Sequence, residues 1–245
     1  GGWTQDDPSC LVEQFCPEYN EWRTTARMVN NRGTVAMATL DGMIYTAGGE
    51  DDIQCYSSVE GVCLVAMDEY LYAIGGHDST TVFNTVEYDP KMNTWSKQAL
   101  MLTSRTRAVA AVLDGHLYVI GGSDGDTALS SERYNPVDGT WSICAHMLSP
   151  RQNAGCAVYL GHIYVAGGKD ELNLEVCAAE RFDPDTMRWT PIKHMRSKRM
   201  SLVVFSGALL AVGGSDGITH LKTIEVYSHE TNTWHFGSTK SKHPG

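Results

Sequence analysis

The sequence of 245 residues predicts an all-β fold made of six small, four-stranded antiparallel sheets. Three observations predict it: a glycine pair recurs six times, a tryptophan follows five of those pairs, and a glutamate–aromatic signature lies between them. Self-similarity with a period of about 20 to 50 residues is typical of repeat architectures, so the repeat decides the fold class.

The glycine pairs set the period. They begin at Gly1, Gly48, Gly75, Gly121, Gly167 and Gly213, so the last three intervals are 46 residues each and the first is 47. The tryptophans follow at similar distances, at Trp22, Trp95, Trp141, Trp189 and Trp234. The signature between them reads Ser131-Glu132-Arg133-Tyr134-Asn135-Pro136 in one unit. Each unit therefore repeats the same order of elements.

Each unit predicts four short strands, a to d. In one unit strand a is the apolar run 154–160, and strand b is the aromatic run 163–166 that ends at a glycine pair. Strand c carries the glutamate and the aromatic residue, and strand d carries the tryptophan. Asp-Gly pairs at 41–42 and 114–115 suit two-residue hairpins between a and b.

A four-stranded sheet cannot bury both of its faces alone. Radial stacking buries each face against a neighbouring sheet and leaves few open edges. The repeated aromatic residues and tryptophans fit between the sheets, where large rings bury the most area. We therefore expect a six-bladed propeller, with residues 1–245 forming one domain.

These motifs together resemble the kelch repeat, and the resemblance covers essentially the whole chain. The sequence pattern of the repeats is most similar to that of the kelch-like proteins, in which such a propeller follows a BTB and a BACK domain. Neither of those domains lies within these residues. The resemblance implies a six-bladed kelch β-propeller.

The second unit departs from the period. The interval from Gly48 to Gly75 is 27 residues, about 19 fewer than the period of 46. Val59-Glu60 is in register with the start of strand c, and Gly61-Val62 with the entry to the next strand a. Either the protein carries a deletion or the sequence omits residues. The second explanation is favoured, because loss of the tryptophan-bearing strand would expose the flanks of two sheets.

Composition limits the partners. The formal net charge of −10 disfavours nucleic acid, and no run of 18 apolar residues predicts a membrane span. Seven cysteines, an odd number with no Cys-x-x-Cys pair, favour free thiols and a cytoplasmic location. No signal peptide is visible at the N-terminus, although a fragment would hide one.

The b–c and d–a loops share one face, and the b–c loops differ most between units, as binding loops on a rigid scaffold do. In kelch-like proteins this face takes the partner peptide, and Arg and Ser at these positions grip acidic side chains. The resemblance therefore implies a partner-binding set of residues that directly follow the glycine pairs or precede strand a. These residues are Trp3, Glu50, His77, Ser123, Lys169 and Ser215, and Arg105, Arg107, Arg151, Asn153 and Arg199.

Arginine suits that role because guanidinium pairs with carboxylates in a bidentate manner. We hypothesise that Arg107, Arg151 and Arg199 form a basic rim on an otherwise acidic domain. In the alternative, these side chains are solvated or bond to neighbouring backbone carbonyls.

No catalytic residue, metal site or cofactor is predicted. His116 and His162 occupy equivalent turns on different units, which favours solvated side chains over metal ligands. The recurring glutamates Glu13, Glu132, Glu180 and Glu225 favour a structural hydrogen-bonding role, because an active site is normally made once.

Two non-enzymatic functions remain open. The resemblance to kelch-like proteins implies the substrate-receptor part of a cullin-RING ubiquitin ligase, which contacts the cullin through BTB and BACK domains. Other kelch proteins bind actin, which is the alternative. A copper oxidase of the galactose-oxidase type and a sialic-acid isomerase-like activity are more distant, because no unequal unit with clustered His and Tyr is visible.

Overall fold

The computed structural model describes residues 3–4, 7–8, 10–16, 18–19, 21–25, 27–30, 33, 35–49, 61–77, 85–123, 130–215, 218–219 and 221–240. Within these residues all regular structure is β, and no helix is present that could cross a bilayer. Six strands lie before Gly48 among the described residues: β1 (Trp3–Thr4), β2 (Asp7–Pro8), β3 (Glu13–Cys16), β4 (Glu21–Thr24), β5 (Ala36–Leu40) and β6 (Met43–Ala47).

The remaining strands form four complete sheets of consecutive antiparallel strands. They are β7 (Cys63–Met67), β8 (Tyr70–Ile74), β9 (Val86–Asp89) and β10 (Thr94–Lys97); β11 (Val109–Leu113), β12 (His116–Ile120), β13 (Ser131–Asn135) and β14 (Thr140–Cys144); β15 (Gly155–Tyr159), β16 (His162–Ala166), β17 (Ala179–Asp183) and β18 (Arg188–Ile192); and β19 (Leu202–Phe205), β20 (Ala208–Val212), β21 (Thr223–Ser228) and β22 (Thr233–Lys240).

These four sheets are blades 3 to 6, and each contains strands a to d in chain order. Blade 1 contributes the hairpin β3–β4 at its c and d positions, and blade 2 contributes the hairpin β5–β6 at its a and b positions. Neighbouring blades meet along their first strands, in the series β5, β7, β11, β15 and β19. The predicted all-β, six-bladed propeller is confirmed.

The a–b hairpins follow from local turn chemistry. Asp114 and Gly115 both have positive φ, at 50° and 69°, and they join β11 to β12 with Leu113 opposite His116. Two consecutive left-handed residues twist the turn in the sense that suits the flanking strands. The predicted hairpin at this Asp-Gly pair is confirmed.

The core lies between blades, as predicted for the repeated aromatic residues. Tyr118 of blade 4 lies 5.5 Å from Phe182 of blade 5, and Phe182 lies 5.2 Å from Trp189, measured between ring centroids. The indole Nε1 of Trp189 donates to the carbonyl of Ala145 in the preceding blade, at 3.0 Å. The Phe182–Trp189 pair therefore holds blades 4 and 5 together by ring contact and by a hydrogen bond.

Blade 3 differs from the later blades in the exposure of its tryptophan. Trp95, at the place in blade 3 that matches Trp189, is 54% exposed, whereas Trp189 is 7% exposed. The six cysteines among the described residues form no disulfide, which agrees with the predicted free thiols.

Candidate functional site

Three arginines of the d–a loops are buried within the blades that they enter. Arg105 precedes β11, and its guanidinium donates to the Glu132 carboxylate at 2.6 Å and to the carbonyls of Gly121 and Ser130 at 2.8 Å. Arg151 makes the same contacts with Glu180 and two carbonyls of blade 5, and Arg199 with Glu225 and two carbonyls of blade 6. One guanidinium therefore ties the b–c loop to the d–a loop in each of blades 4, 5 and 6.

The glutamate of each pair also caps the loop backbone. Glu180 accepts the backbone N–H groups of Leu148 and Ser149, at 2.7 and 3.2 Å, besides the guanidinium of Arg151. Glu132 accepts from residues 102 and 103, and Glu225 accepts from residues 196 and 197. A carboxylate that accepts several N–H groups is well satisfied in a buried site. The structural role predicted for these glutamates is confirmed.

This burial corrects the prediction for three arginines. Arg105, Arg151 and Arg199 are 0%, 1% and 1% exposed, and the terminal nitrogens of each guanidinium bond to backbone carbonyls of the blade that it enters. Each guanidinium also pairs with a buried glutamate. They present no surface to a partner, so they are not partner contacts in this structure. The basic rim hypothesis is therefore wrong for Arg151 and Arg199, and the alternative that they bond to backbone carbonyls holds.

Arg107 and Asn153 lie at equivalent positions two residues further along, and both are partly exposed. Both have left-handed backbone, with φ of 55° and 52°, as does the equivalent Gly61 at 69°. The N–H of Arg107 donates to the Gly61 carbonyl, and the N–H of Asn153 donates to the Arg107 carbonyl, each at 2.9 Å. A chain of backbone hydrogen bonds therefore passes from blade 3 to blade 5 through these positions.

The residues after the glycine pairs lie beside the same loops. Ser123 exchanges two backbone hydrogen bonds with Thr106, at 2.7 and 2.9 Å, and Lys169 does the same with Gln152, at 3.0 and 2.8 Å. The structure thus brings together the two groups of predicted residues, one on the b–c side and one on the d–a side. His77 and Ser215 are partly exposed at the corresponding positions of blades 3 and 6.

The two remaining predicted residues belong to the N-terminal part of the chain. Trp3 lies in the two-residue strand β1, and Glu50 lies outside the described residues. The Nδ1 atom of His77 is buried and has no hydrogen-bond partner among the described residues.

The b–c loop of blade 5 is described from end to end, and it is internally structured. The Asp170 carboxylate accepts the N–H groups of Leu172 and Leu174, both at 2.9 Å, and Lys169 Nζ lies 3.6 Å from Glu175. The two leucine side chains are exposed. Sequence reasoning missed them, although two leucines in an otherwise polar loop were a usable signal.

The histidines of the a–b turns bond within their own turns. His116 Nδ1–H donates to the Asp114 carbonyl at 2.8 Å, and His162 Nδ1–H donates to the Leu160 carbonyl at 2.7 Å. Within the described ranges, no three His, Cys, Asp or Glu side chains converge as metal ligands would.

Comparison with known proteins agrees with the repeat and the sheet topology. The kelch motif matches four times, over residues 61–101, 104–148, 150–196 and 196–241. The chain is 41% identical over 59 residues to Kelch-like protein 25 of Rattus norvegicus and to Kelch-like protein 25 of Mus musculus. These matches cover 23% of this chain and only 10% of each relative's length. The four motif matches span most of the chain, and it belongs to the kelch-repeat family.

Proposed function

We propose that this chain is a protein-interaction propeller that binds a segment of a substrate protein on its b–c and d–a loop face. In this proposal residues 1–245 form one non-enzymatic domain that serves as the substrate receptor of a cytoplasmic cullin-RING ubiquitin ligase adaptor. The cullin contact would be made by BTB and BACK domains outside these residues.

The observation that carries the proposal is the way the loop face is held. A buried Arg–Glu pair fixes the d–a loop in blades 4, 5 and 6, and paired backbone hydrogen bonds join that loop to the b–c loop in blades 4 and 5. Loops that are ordered before binding lower the entropic cost of association. A rigid face with side chains that vary between blades suits recognition of one polypeptide segment.

The partly exposed residues on this face suggest what the segment carries. Arg107 and Lys169 place two cationic side chains there, on a chain whose formal net charge is −10. Such groups suit carboxylates, because charge-assisted hydrogen bonds are about twice as strong as neutral ones. We therefore propose an acidic segment as the partner.

The test is capture of partners by the intact chain, identification by mass spectrometry, and measurement of the affinity for the mapped segment. The Arg107→Ala/Lys169→Ala double variant should weaken binding by roughly tenfold or more, which is the loss of one to two charge-assisted contacts. Lys91→Ala is the matched control, because Lys91 is an exposed cation in a c–d turn, where it pairs with the exposed Glu69. Equal loss in both variants, or loss in neither, contradicts the proposed face.

The adaptor role needs a separate measurement. The full gene product should copurify with a cullin, and removing the segments outside the propeller should abolish that association while retaining substrate binding. Cosedimentation of the propeller with actin filaments at physiological salt, without cullin association, would favour the cytoskeletal function instead.

A further inference from the structure

The d–a loop between blades 5 and 6 carries three exposed cations at positions that are neutral in the equivalent loops. It begins directly after β18 and contains Lys193, Arg196 and Lys198, all of which are exposed. The same positions in the two preceding d–a loops hold Ala145, Leu148 and Pro150, and Ala99, Leu102 and Ser104. Residues 193–198 are therefore called the basic loop.

The three d–a loops share one scaffold, which fixes this register. Each buries a methionine two residues after its first position, namely Met101, Met147 and Met195. In each loop the carbonyl of the first position accepts the indole N–H of the next blade's tryptophan, at 3.0, 3.0 and 2.8 Å. Because neutral residues serve this scaffold in two loops, the fold does not require cations in the third.

The three cations also have no carboxylate partner within the molecule. No acidic side chain of the described residues lies within ion-pair distance of them. The carboxylate around which the loop folds, Glu225, is buried and already accepts from Arg199 and from the N–H groups of residues 196 and 197. The exposed cations Arg23 and Lys91, in contrast, each pair with a glutamate. The positive charge of the basic loop is thus left for an external group.

Arg196 is held in place before any partner binds. Its Nε–H donates to the Trp234 carbonyl at 2.9 Å, and its guanidinium lies 5.7 Å from the centroid of the exposed Phe236 ring. Both of these residues belong to β22, which is strand d of blade 6. A side chain that is already ordered loses less conformational entropy on binding.

The basic loop lies at the outer edge of the propeller. Blades meet along their strands a, and strand d is at the opposite end of each sheet. Lys193 directly follows strand d of blade 5, and Arg196 bonds to strand d of blade 6. The loop therefore presents its charge at the junction of two complete blades.

We propose that the basic loop docks an acidic segment of a partner protein. Carboxylates suit the site, because a guanidinium held through Nε can offer its two terminal nitrogens to one carboxylate, and the lysines add point charges beside it. A long polyanion such as a nucleic acid does not suit it, because the formal net charge of the whole chain is −10. The inference goes beyond the proposed function, since it concerns the outer edge and not Arg107 and Lys169.

The probe is fluorescently labelled octaglutamate, titrated with the intact chain at about 50 mM salt, with octaglutamine as the neutral control. Octaglutamate should bind saturably, and octaglutamine should not bind. Raising the salt to about 300 mM should weaken the octaglutamate complex, because exposed charges are then screened over a shorter distance.

A triple variant locates the site. Lys193→Ala/Arg196→Leu/Lys198→Ser installs the residue types that the loop between blades 3 and 4 carries, so the fold should be retained, which thermal unfolding checks. It should weaken octaglutamate binding by about tenfold or more, since three exposed ion pairs are lost. Should the triple variant unfold, Arg196→Leu alone keeps the test, with an expected loss of roughly threefold.

The matched control is Arg23→Ala/Lys91→Ala/Arg188→Ala. It removes the same number of exposed cations from strands and turns of other parts of the propeller, so the net charge changes equally. Its affinity for octaglutamate should stay within about threefold of the parent chain, because the contacts at the basic loop remain. Equal losses in the two triple variants would mean that only the net charge of the chain matters.

That result would overturn the proposal, as would no saturable binding, equal binding of octaglutamine, or no effect of the basic-loop variant. Loss in the Arg107→Ala/Lys169→Ala variant alone would also overturn it while supporting the loop face, so the two proposals fail separately. A dimer in sedimentation that the basic-loop variant converts to monomer would identify a second acidic copy as the occupant, and it would overturn the proposal too.

Discussion

Arg151 donates to the Glu180 carboxylate at 2.7 Å, and the two side chains are 1% and 3% exposed. Arg105–Glu132 and Arg199–Glu225 repeat this pair in the neighbouring blades. The carboxylate also accepts the N–H groups of the loop that carries the arginine. The Arg151 guanidinium, which the sequence analysis placed on a surface rim, is thus buried and holds the d–a loop in position.

Glu180→Gln should therefore destabilise the chain strongly. Removing one partner of a buried ion pair typically costs about 3 to 5 kcal/mol, because the remaining charge stays buried without compensation. Urea unfolding should show the loss as a lower midpoint. Glu69→Gln is the control, because its pair with Lys91 is exposed and such pairs contribute about 0 to 1 kcal/mol. Similar losses in both variants would contradict the burial of the pair.

Gly121→Ala should be more damaging than Gly115→Ala. Both glycines have positive φ, at 66° and 69°, so each substitution carries a left-handed backbone cost of about 1 to 2 kcal/mol. A Cβ at Gly121 would in addition collide with the carbonyl oxygen of Arg151, whereas a Cβ at Gly115 meets nothing within 4 Å. Overpacking adds about 1 to 3 kcal/mol. Thermal unfolding of the two variants measures the difference, and equal midpoints would exclude the close approach.

Trp141→Phe should lower stability by about 1 to 2 kcal/mol, because it removes the indole N–H that bonds to the Ala99 carbonyl and leaves a gap. Trp95→Phe provides the matched comparison at an exposed tryptophan, where the change should stay within about 0.5 kcal/mol. Denaturant titration of both variants tests the pair. A large loss at Trp95 would mean that its indole is buried in solution.

Stability should fall as the pH rises above about 9. Burial raises the pKa of the Cys63 thiol from 9.0 to about 12, with the nearby Arg105 acting in the opposite direction. Below pH 9 the thiol is neutral in both the folded and the unfolded chain, so its contribution is complete. Between pH 9 and 12 the unfolded chain loses this proton while the folded chain keeps it, so the free energy of unfolding decreases.

The limiting slope is about 1.4 kcal/mol per pH unit for one such group. Urea unfolding from pH 8 to pH 11 in the presence of a reductant measures it. Cys63→Ala should show a shallower dependence on pH than the parent chain. An unchanged slope would show that the Cys63 thiol is not protected from ionisation.

Much of this fold can be predicted from the sequence because the features of the repeat are local. A glycine pair, an aromatic residue seven positions before a tryptophan, and an Asp-Gly turn each act within one hairpin, so spacing alone predicts strand order and blade number. The face formed by the b–c and d–a loops follows from that order. The candidate residues Ser123 and Lys169 were found by register, and the structure places them against the d–a loops.

Whether each charged side chain is buried or exposed could not be predicted from local spacing. Arg105 and Arg107 are two residues apart in the same loop, yet one is fully buried and the other is partly exposed. What separates them is Glu132, 27 positions further along, which meets Arg105 only after strand c has paired in the sheet. Burial of a charge depends on such distant partners, and no local pattern reports them.

The sequence by itself therefore determined the repeating sheets and their order, because periodicity and hairpin chemistry are properties of neighbouring residues. Only the tertiary structure decided which cations remain at the surface, and only it showed that Trp95 is exposed whereas Trp141, Trp189 and Trp234 are buried. Those outcomes depend on contacts between residues far apart in the chain, which exist only once the blades have assembled.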